Sequence, residues 1–339
     1  MKKMLQHLVG ISLLIALCSC SLPQSVEWGD LLAEADIENL SSGLSWNSSE
    51  LQKKDNAFSM TMRVDDDPPS RVENTRMTDG KTFTIKTINE NYYFVVENKD
   101  EKAFSILRHQ NKDEKTLWKR HFNSPTITPD YVYNNNNKLS FVAALLLSDD
   151  YDPDYISILN PSDGKTWKKF TLDKMVNPRF PLSITMSDNL NFLIMAVPIQ
   201  EMSLQQIYLI FKRVQGQNHF KYTGYLRFPE DEKDGLVPDG IRITNDVAII
   251  SMEKGRRMGL VATQKIVFFD LRSNQMILEY RFVANAIIHD AVITADRKYV
   301  AFIIYDSPKS KRLVRLYKLL DKTNAKNQAQ EPYPLQKNQ

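Results

Sequence analysis

The densest group of potential metal ligands in this 339-residue chain is the acidic segment 149–154, which reads Asp-Asp-Tyr-Asp-Pro-Asp. Ca²⁺ binds clustered oxygen ligands, and the spacing of Asp149, Asp152 and Asp154 resembles the beginning of a calcium-binding loop. Such a loop also has a glycine at its sixth position and a glutamate at its twelfth, and both are missing here. The three aspartates are therefore weak candidates for a metal site, and a solvated loop is the simpler interpretation.

Charged loops recur between the predicted strands and change sign along the chain. Segments 65–67 and 149–154 are acidic, whereas segments 253–257 and 306–312 are mainly basic. If a repeating fold gathers these loops on one face, that face suits a protein partner, because charge complementarity governs specificity and the rate of association. The candidate partner-binding residues are Asp65, Asp66, Asp149, Asp152, Arg256 and Arg257.

Residue types used in acid–base or nucleophilic catalysis form no recognisable motif. His289 beside Asp290 could be a base with its orienting carboxylate, but adjacent residues of a strand point to opposite faces. The chain contains no His-Glu-x-x-His, no Gly-x-Ser-x-Gly, no phosphate loop and no dinucleotide fingerprint. We therefore predict no catalytic residue and no cofactor, although a site assembled from distant residues would escape a motif search.

The first 20 residues have the layout of an export signal. Lys2 and Lys3 precede an apolar stretch from Leu5 to Leu17, which is short compared with the ~20 residues of a transmembrane helix. The stretch ends in Leu-Cys-Ser-Cys at residues 17–20, which resembles the cleavage site of a bacterial lipoprotein signal peptide. Cys18 departs from that pattern, which usually has Ala, Ser, Thr or Val there.

The lipoprotein resemblance implies cleavage after residue 19 and lipidation of Cys20 with acyl chains such as palmitate. The protein would then be anchored to a membrane of the cell envelope. Ser21, rather than Asp, favours the outer membrane if the host is Gram-negative. An ordinary cleaved signal peptide and an uncleaved anchor are the alternatives.

Composition excludes several classes of function. Both cysteines lie at positions 18 and 20, so the mature chain would have no disulfide, thiol nucleophile or cysteine metal site. Removal of Lys2 and Lys3 from the 44 basic residues leaves 42 against 41 acidic ones. A nearly neutral protein is a poor candidate for nucleic-acid binding, which requires a surface that neutralises phosphates.

Beyond residue 50, short apolar strands recur in a loose repeat. Each repeat begins with a turn rich in Asn or Asp, followed by three strands. The marker residues are separated by 47, 52, 58 and 50 residues; they are Asn89, Asn136, Asp188, Asp246 and Asp296. A repeat of this length with several strands predicts the blades of a propeller. Segments 78–83 and 162–167 share an Asp-Gly-Lys-Thr core and predict tight hairpin turns.

The chain resembles β-propellers of the WD40 and TolB-like kinds, without their regular sequence motifs. We expect an all-β fold with six blades of about 45–58 residues; seven blades or a β-sandwich pair are the alternatives. The expected organisation is a signal peptide at 1–19, a tether and propeller-closing segment at 20–50, the propeller at 51–320 and a polar tail at 321–339. Within the tether, residues 28–38 predict a short helix.

These observations predict a lipid-anchored envelope protein without enzymatic activity. It would bind another envelope protein through the loop face of the propeller. The alternative belongs to a different functional class. It is an envelope hydrolase or a glycan-binding propeller with its site at the central channel.

Overall fold

The computed structural model describes most of the chain between residues 29 and 319, and every regular element in that part is a β-strand. The predicted signal peptide, Cys20 and the predicted polar tail lie outside the described residues. No helix in the described part is long and apolar enough to cross a membrane. The described ranges are 29–37, 49–54, 57–64, 72–89, 92–100, 102–110, 115–125, 127, 129–133, 139–148, 152–173, 181–198, 206–228, 236–254, 264–282, 286–306 and 311–319.

The described strands form six units that follow one another along the chain. Unit 6 takes its last strand from the N-terminal part of the chain, as β1 (Gly29–Asp36). Units 1 and 2 contain β2 (Ser49–Lys54), β3 (Ala57–Val64), β4 (Val72–Arg76) and β5 (Thr82–Asn89), then β6 (Tyr92–Asp100), β7 (Ala103–Gln110) and β8 (Thr116–Phe122). Units 3 and 4 contain β9 (Asp130–Tyr133), β10 (Leu139–Leu147), β11 (Pro153–Leu159) and β12 (Thr166–Leu172), then β13 (Ser183–Met186), β14 (Phe192–Pro198), β15 (Gln206–Arg213) and β16 (His219–Arg227). Units 5 and 6 contain β17 (Leu236–Thr244), β18 (Val247–Lys254), β19 (Gln264–Asp270) and β20 (Gln275–Phe282), then β21 (Ala286–Ile293), β22 (Tyr299–Asp306) and β23 (Lys311–Leu319).

Units 3, 4 and 5 are four-stranded antiparallel meanders. The last strands of units 3 and 4, β12 and β16, pair in parallel, with Thr171 opposite His219 and Leu172 opposite Phe220. Equivalent strands of these neighbouring units therefore run in the same direction. Unit 1 departs from the meander, because its order is β2-β3-β5-β4 with β3 and β5 parallel, and unit 2 has three described strands.

Strand β1 lies at the edge of unit 6, where it pairs antiparallel with β23 from Gly29 opposite Leu319 to Asp36 opposite Leu313. The helix predicted for residues 28–38 is therefore wrong. Burial alternates along the strand, with Ala33, Ala35 and Ile37 in the core. The backbone bonds to β23 and this alternating burial outweigh the helical propensity of a Leu-Ala-Glu-Ala sequence.

The second strand of a typical unit is buried on both faces, because it lies between two neighbouring sheets. In β10, Phe141 and Leu145 pack with residues of unit 4. The alternating residues Val142 and Leu146 pack with residues of unit 2. Strands β14, β18 and β22 show the same alternation, so core clusters connect unit 2 to 3, 3 to 4, 4 to 5, 5 to 6 and 6 to 1.

This stacking identifies the fold as a β-propeller. A β-sandwich, the alternative considered from the sequence, would leave one face of each sheet in solvent. The first strands of the units converge, since β9 contacts β13, β13 contacts β17 and β21 contacts β2. The all-β propeller prediction is thus confirmed. The described strands supply six units, and the number of blades in the complete ring stays a prediction, as do the domain boundaries.

The two Asp-Gly segments form the predicted tight turns. In each turn the aspartate Oδ1 accepts a hydrogen bond of 3.1 Å from the backbone N–H two residues later, that of Lys81 for Asp79 and that of Lys165 for Asp163. The following glycines have positive φ angles, 83° at Gly80 and 68° at Gly164, which a side chain would disfavour.

Candidate functional site

The ring has two faces that differ in the kind of connection they carry. Turns from first to second strands meet on one side, where Asn189 Nδ2 donates to Asp246 Oδ1 at 2.8 Å. On the same side, Lys53 Nζ lies 3.8 Å from Asp296 Oδ2. We call this side the turn face and define it by the turns 187–191, 245–246 and 294–298. Connections from second to third strands leave the opposite side, the loop face, which is defined by the connections 65–71, 148–152, 255–263 and 307–310.

All four charged loops found in the sequence belong to the loop face, because each connects a second strand to a third. Asp65, Asp66, Asp149, Arg256 and Arg257 themselves lie outside the described residues. Their assignment to a partner site therefore stays a prediction.

Asp152 is the one partner-site candidate within the described residues, and it is exposed. Its backbone N–H donates to Ser148 Oγ at 3.3 Å, and its carbonyl accepts from the Ser148 N–H at 2.9 Å. These bonds fix the base of the loop and leave the Asp152 side chain at the surface. Asp154, at the start of β11, is also exposed.

No group of three or more His, Cys, Asp or Glu side chains is close enough to hold a metal ion among the residues that the structure describes. Asp149 lies outside those residues, so the calcium hypothesis for Asp149, Asp152 and Asp154 stays a hypothesis.

The turn face is braced by a buried carboxylate that no sequence motif singles out. Asp246 occupies a left-handed backbone conformation with a φ of 58°, and its side chain is 1% exposed. Arg272, on the turn between β19 and β20, donates from Nε to Asp246 Oδ2 at 2.6 Å. This contact joins two turns of unit 5, and the bond from Asn189 ties the same carboxylate to unit 4. The Asn245-Asp246 turn was visible in the sequence, but its partners depend on the fold.

A second bridge on the turn face connects units 5 and 6. Arg297, in the turn that precedes β22, lies with Nε 2.8 Å from Asp270 Oδ2 and donates from Nη2 to Asp270 Oδ1 at 3.1 Å. Asn245 Nδ2 also donates to the Ile293 carbonyl at 3.1 Å. These bonds cross from unit 5 to unit 6 and hold the turns of the two units together.

Asp188 lies next to the turn that contains Asp246, and the pKa of its carboxyl is raised. Burial raises the pKa of its carboxyl, and the negative charge of Asp246 raises it further. Two carboxylates are therefore close together at turns that adjoin the converging first strands. One of them, Asp246, is engaged by Arg272 and Asn189.

An ion pair lies between the first strands of units 5 and 6. Arg242 Nη2 on β17 lies 3.3 Å from Asp290 Oδ1 on β21, and the two side chains are 7% and 1% exposed. The guanidinium also donates to the Ala291 carbonyl, and Asp290 Oδ1 accepts from the Ala291 N–H at 2.8 Å. Asp290 is thus held by Arg242, while the side chain of His289 lies outside the described residues. The structure therefore gives no geometric support to His289 as a base with Asp290 as its orienting carboxylate.

Asp130, on the first strand of unit 3, bridges to unit 4. Its Oδ2 accepts from the Met186 N–H at 2.6 Å, and Thr185 also bonds to its carboxyl. Burial raises the pKa of Asp130 to about 7, because the hydrogen bonds compensate only part of the desolvation. Its neighbour Tyr131 is half-buried, and desolvation, with a contribution from Asp130, raises its pKa to about 12.

The histidines among the described side chains take part in local contacts. His219 Nε2 lies 2.8 Å from Asp173 Oδ1, and its Nδ1 lies 2.9 Å from Thr171 Oγ1, at the junction of β12 and β16. His121 Nε2 lies 2.9 Å from Asn123 Oδ1. His109 stacks on Tyr93 with ring centroids 5.1 Å apart. These three histidines thus lie at the surface or at the junction of β12 and β16, and none of these contacts joins one histidine to another.

The solved structures that are similar to this chain include two of low sequence identity. No family model matches the chain, and no curated protein matches it. The crystal structure of Saccharomyces cerevisiae Sqt1 is 12% identical with a TM-score of 0.35, over 74% of this chain and 66% of that one. The structure of the Dos1 propeller is 10% identical with a TM-score of 0.35, over 86% of this chain and 75% of that one. The fold assignment rests on the strands of this chain itself.

Proposed function

We propose that this β-propeller is a lipid-anchored envelope protein that acts as a non-enzymatic scaffold and binds a protein partner through its loop face. The observation that carries the proposal is the asymmetry of the ring. Its turn face is held together by bonds between units, such as Asn189 of unit 4 with Asp246 of unit 5 and Asp270 of unit 5 with Arg297 of unit 6. The connections that carry strong charge leave the other face. Loops on a rigid scaffold are where binding functions concentrate.

The charges of the loop face favour a protein with a complementary pattern. Units 1 and 3 contribute acidic segments at 65–67 and 149–154, and unit 5 contributes the basic pair Arg256 and Arg257. A partner would present basic residues towards the two acidic segments and acidic residues towards the Arg256–Arg257 pair. Such a pattern selects one orientation and accelerates association, and salt weakens it.

The path of the N-terminal strand supports an orientation on the membrane. Gly29 pairs with Leu319, at the turn-face end of β23, so the segment that carries Cys20 joins the propeller at the turn face. The residues from Cys20 to Gly29 span at most about 30 Å when fully extended. A lipid on Cys20 would therefore hold the turn face near the membrane and leave the loop face accessible from the envelope space.

Fractionation of wild type and Cys20→Ala, combined with co-purification from solubilised membranes, tests this function. We expect wild type in the membrane fraction with one specific protein, and the variant in the soluble fraction. A Cys20→Ala variant that fractionates like wild type would refute the anchor. An anchored protein that co-purifies with no partner would favour the alternative function described below.

The alternative is an envelope hydrolase or glycan-binding propeller with a site near the central channel, and the Asp188–Asp246 pair is the observation in its favour. A carboxyl with a raised pKa beside a second carboxylate is an arrangement used in acid–base catalysis. Asp188→Asn separates the two functions. The scaffold function predicts unchanged partner binding and no glycan hydrolysis in either protein, whereas a hydrolase would lose its activity in the variant.

A further inference from the structure

The outer wall of units 2, 3 and 4 carries a strong positive charge that the proposed loop-face site does not use. It consists of the last strands of these units, β8, β12 and β16. These three strands contain no Asp or Glu, although acidic and basic residues are nearly balanced in the whole chain. Their basic residues are Lys119, Arg120, Lys168, Lys169, Lys221 and Arg227. We call this surface the basic wall.

The three strands form one continuous surface. Arg120 Nη2 on β8 donates to Thr166 Oγ1 on β12 at 3.4 Å. The parallel pairing of Thr171 with His219 then joins β12 to β16. Because direct bonds connect neighbouring strands, the cations of all three units can face a single ligand.

Most of these cations are exposed to solvent. Lys119 is paired with Glu97 at 2.6 Å. Lys168 lies over the ring of Trp167 and Lys169 over the ring of Tyr155, at 4.8 Å and 4.7 Å. Lys221 and Arg227 are exposed, and Lys221 interacts electrostatically with Asp173, which directly follows β12. The surface thus retains several positive charges that an acidic ligand could neutralise.

Two large apolar side chains are exposed among the cations. Trp167 is 57% exposed on β12, and Leu117 is 45% exposed on β8. Exposed tryptophan next to arginine and other cations is characteristic of protein interfaces, in which aromatic residues provide much of the binding energy. A ligand that matches this surface carries both negative charge and apolar side chains.

We propose that the basic wall is a second docking surface, which binds an acidic protein segment that carries aromatic or aliphatic residues. The strand that adjoins the membrane anchor proposed above is acidic instead, since β1 contains Asp30, Glu34 and Asp36. It belongs to unit 6, which is three units away from unit 3. The basic wall therefore faces away from the anchored edge, which favours a protein over the lipid surface.

Binding of labelled polymers to the full chain tests the proposal. The probes are poly-L-glutamate and a glutamate–phenylalanine copolymer of equal length, titrated by fluorescence anisotropy at low and high salt. We expect the copolymer to bind more tightly, and both affinities to fall as salt screens the charges. The triple variant Lys168→Glu, Lys169→Glu, Lys221→Glu should bind each of the two polymers about tenfold more weakly than wild type, or weaker still. Trp167→Ala should remove the preference for the copolymer.

Matched controls lie elsewhere on the ring. Lys54→Glu, Lys86→Glu and Lys318→Glu change the same charge at exposed positions of units 1 and 6. Met276→Ala removes an apolar side chain that is 52% exposed on β20, the last strand of unit 5. Neither control should alter binding, and thermal melts should show that all variants fold.

Three results would overturn the proposal. The first is equal loss of binding in the control variants, and the second is absence of binding at low salt. The third is tighter binding to vesicles of phosphatidylglycerol, lost in the same triple variant, which would assign the basic wall to a membrane. The test uses neither Cys20 nor the loop face, so its failure is independent of the proposed scaffold function.

Discussion

The indole ring of Trp118 in unit 2 occupies the space in which Gly164 in unit 3 would carry a side chain. A Cβ atom on Gly164 would lie 2.6 Å from Cε3 of the indole. The ring is held there because its Nε1 donates to the Pro161 carbonyl at 2.8 Å, in the same turn as Gly164. Arg108 Nη1 donates to the same carbonyl at 2.6 Å. The Asp-Gly turn of unit 3 is therefore a contact point between two blades.

Gly164→Ala should destabilise the protein much more than Gly80→Ala, although both glycines have positive φ. At Gly80 no atom of the described residues lies within 4 Å of the position that a Cβ would occupy, so only backbone strain of about 1 kcal/mol applies. At Gly164 the collision with Trp118 adds about 1–3 kcal/mol. Urea unfolding of both variants measures the difference. Equal free energies of unfolding would show that Trp118 is not packed on this turn.

Arg242→Met should lower the free energy of unfolding by about 3 kcal/mol, because it leaves the carboxylate of Asp290 buried without its cation. Arg242→Met combined with Asp290→Asn should recover part of that loss, since the amide is neutral and its oxygen can still accept from the Ala291 N–H. Chemical denaturation of the two single variants and the double variant gives the coupling energy. Strict additivity would contradict the ion pair.

Asp130→Asn should change how stability depends on pH. The pKa of Asp130 is raised to about 7 in the folded protein, so the folded state holds this proton more tightly than the unfolded state. Its contribution to stability is then complete below the unfolded pKa near 4 and is lost as the pH rises through about 7. The variant should match wild type near pH 4 and exceed it near pH 8, on the order of 1–4 kcal/mol.

Urea titrations at several pH values measure how the free energy of unfolding of wild type and of Asp130→Asn changes with pH. A wild type whose stability rises between about pH 5 and pH 8 relative to Asp130→Asn would contradict the raised pKa. Asn is the suitable replacement, because its oxygen can keep the bond from the Met186 N–H.

The repeat of strands was readable from the sequence, because turn residues and apolar strands leave local signals. Asp188-Asn189 and Asn245-Asp246 were located as turns, and Asn245 and Asp246 do adopt positive φ angles of 51° and 58°. The contacts between residues distant in sequence could not be read in this way. Arg272 reaches Asp246 of the same unit across 26 positions of sequence, and Arg242 of unit 5 reaches Asp290 of unit 6 across 48.

Where local signals and tertiary structure disagree, tertiary structure prevails. Residues 28–38 read as a helix, but pairing with β23 makes Gly29–Asp36 a strand. The raised pKa of Asp130 could not be predicted from the sequence either. An Asp between Pro129 and Tyr131 has no special pattern, and its partners Thr185 and Met186 belong to the next unit. The charges of the loop face, by contrast, were found from the sequence alone, and their role stays a prediction.

Site-specific photo-cross-linking in cells tests most directly whether the loop face binds the partner. A photoreactive amino acid replaces Asp152 or Asp154 on the loop face, and Asn274 or Lys298 on the turn face, all of which are exposed. We expect one protein adduct from both loop-face positions, and none from the turn face. The same adduct from the turn-face positions, or no adduct from Asp152 and Asp154, would contradict it.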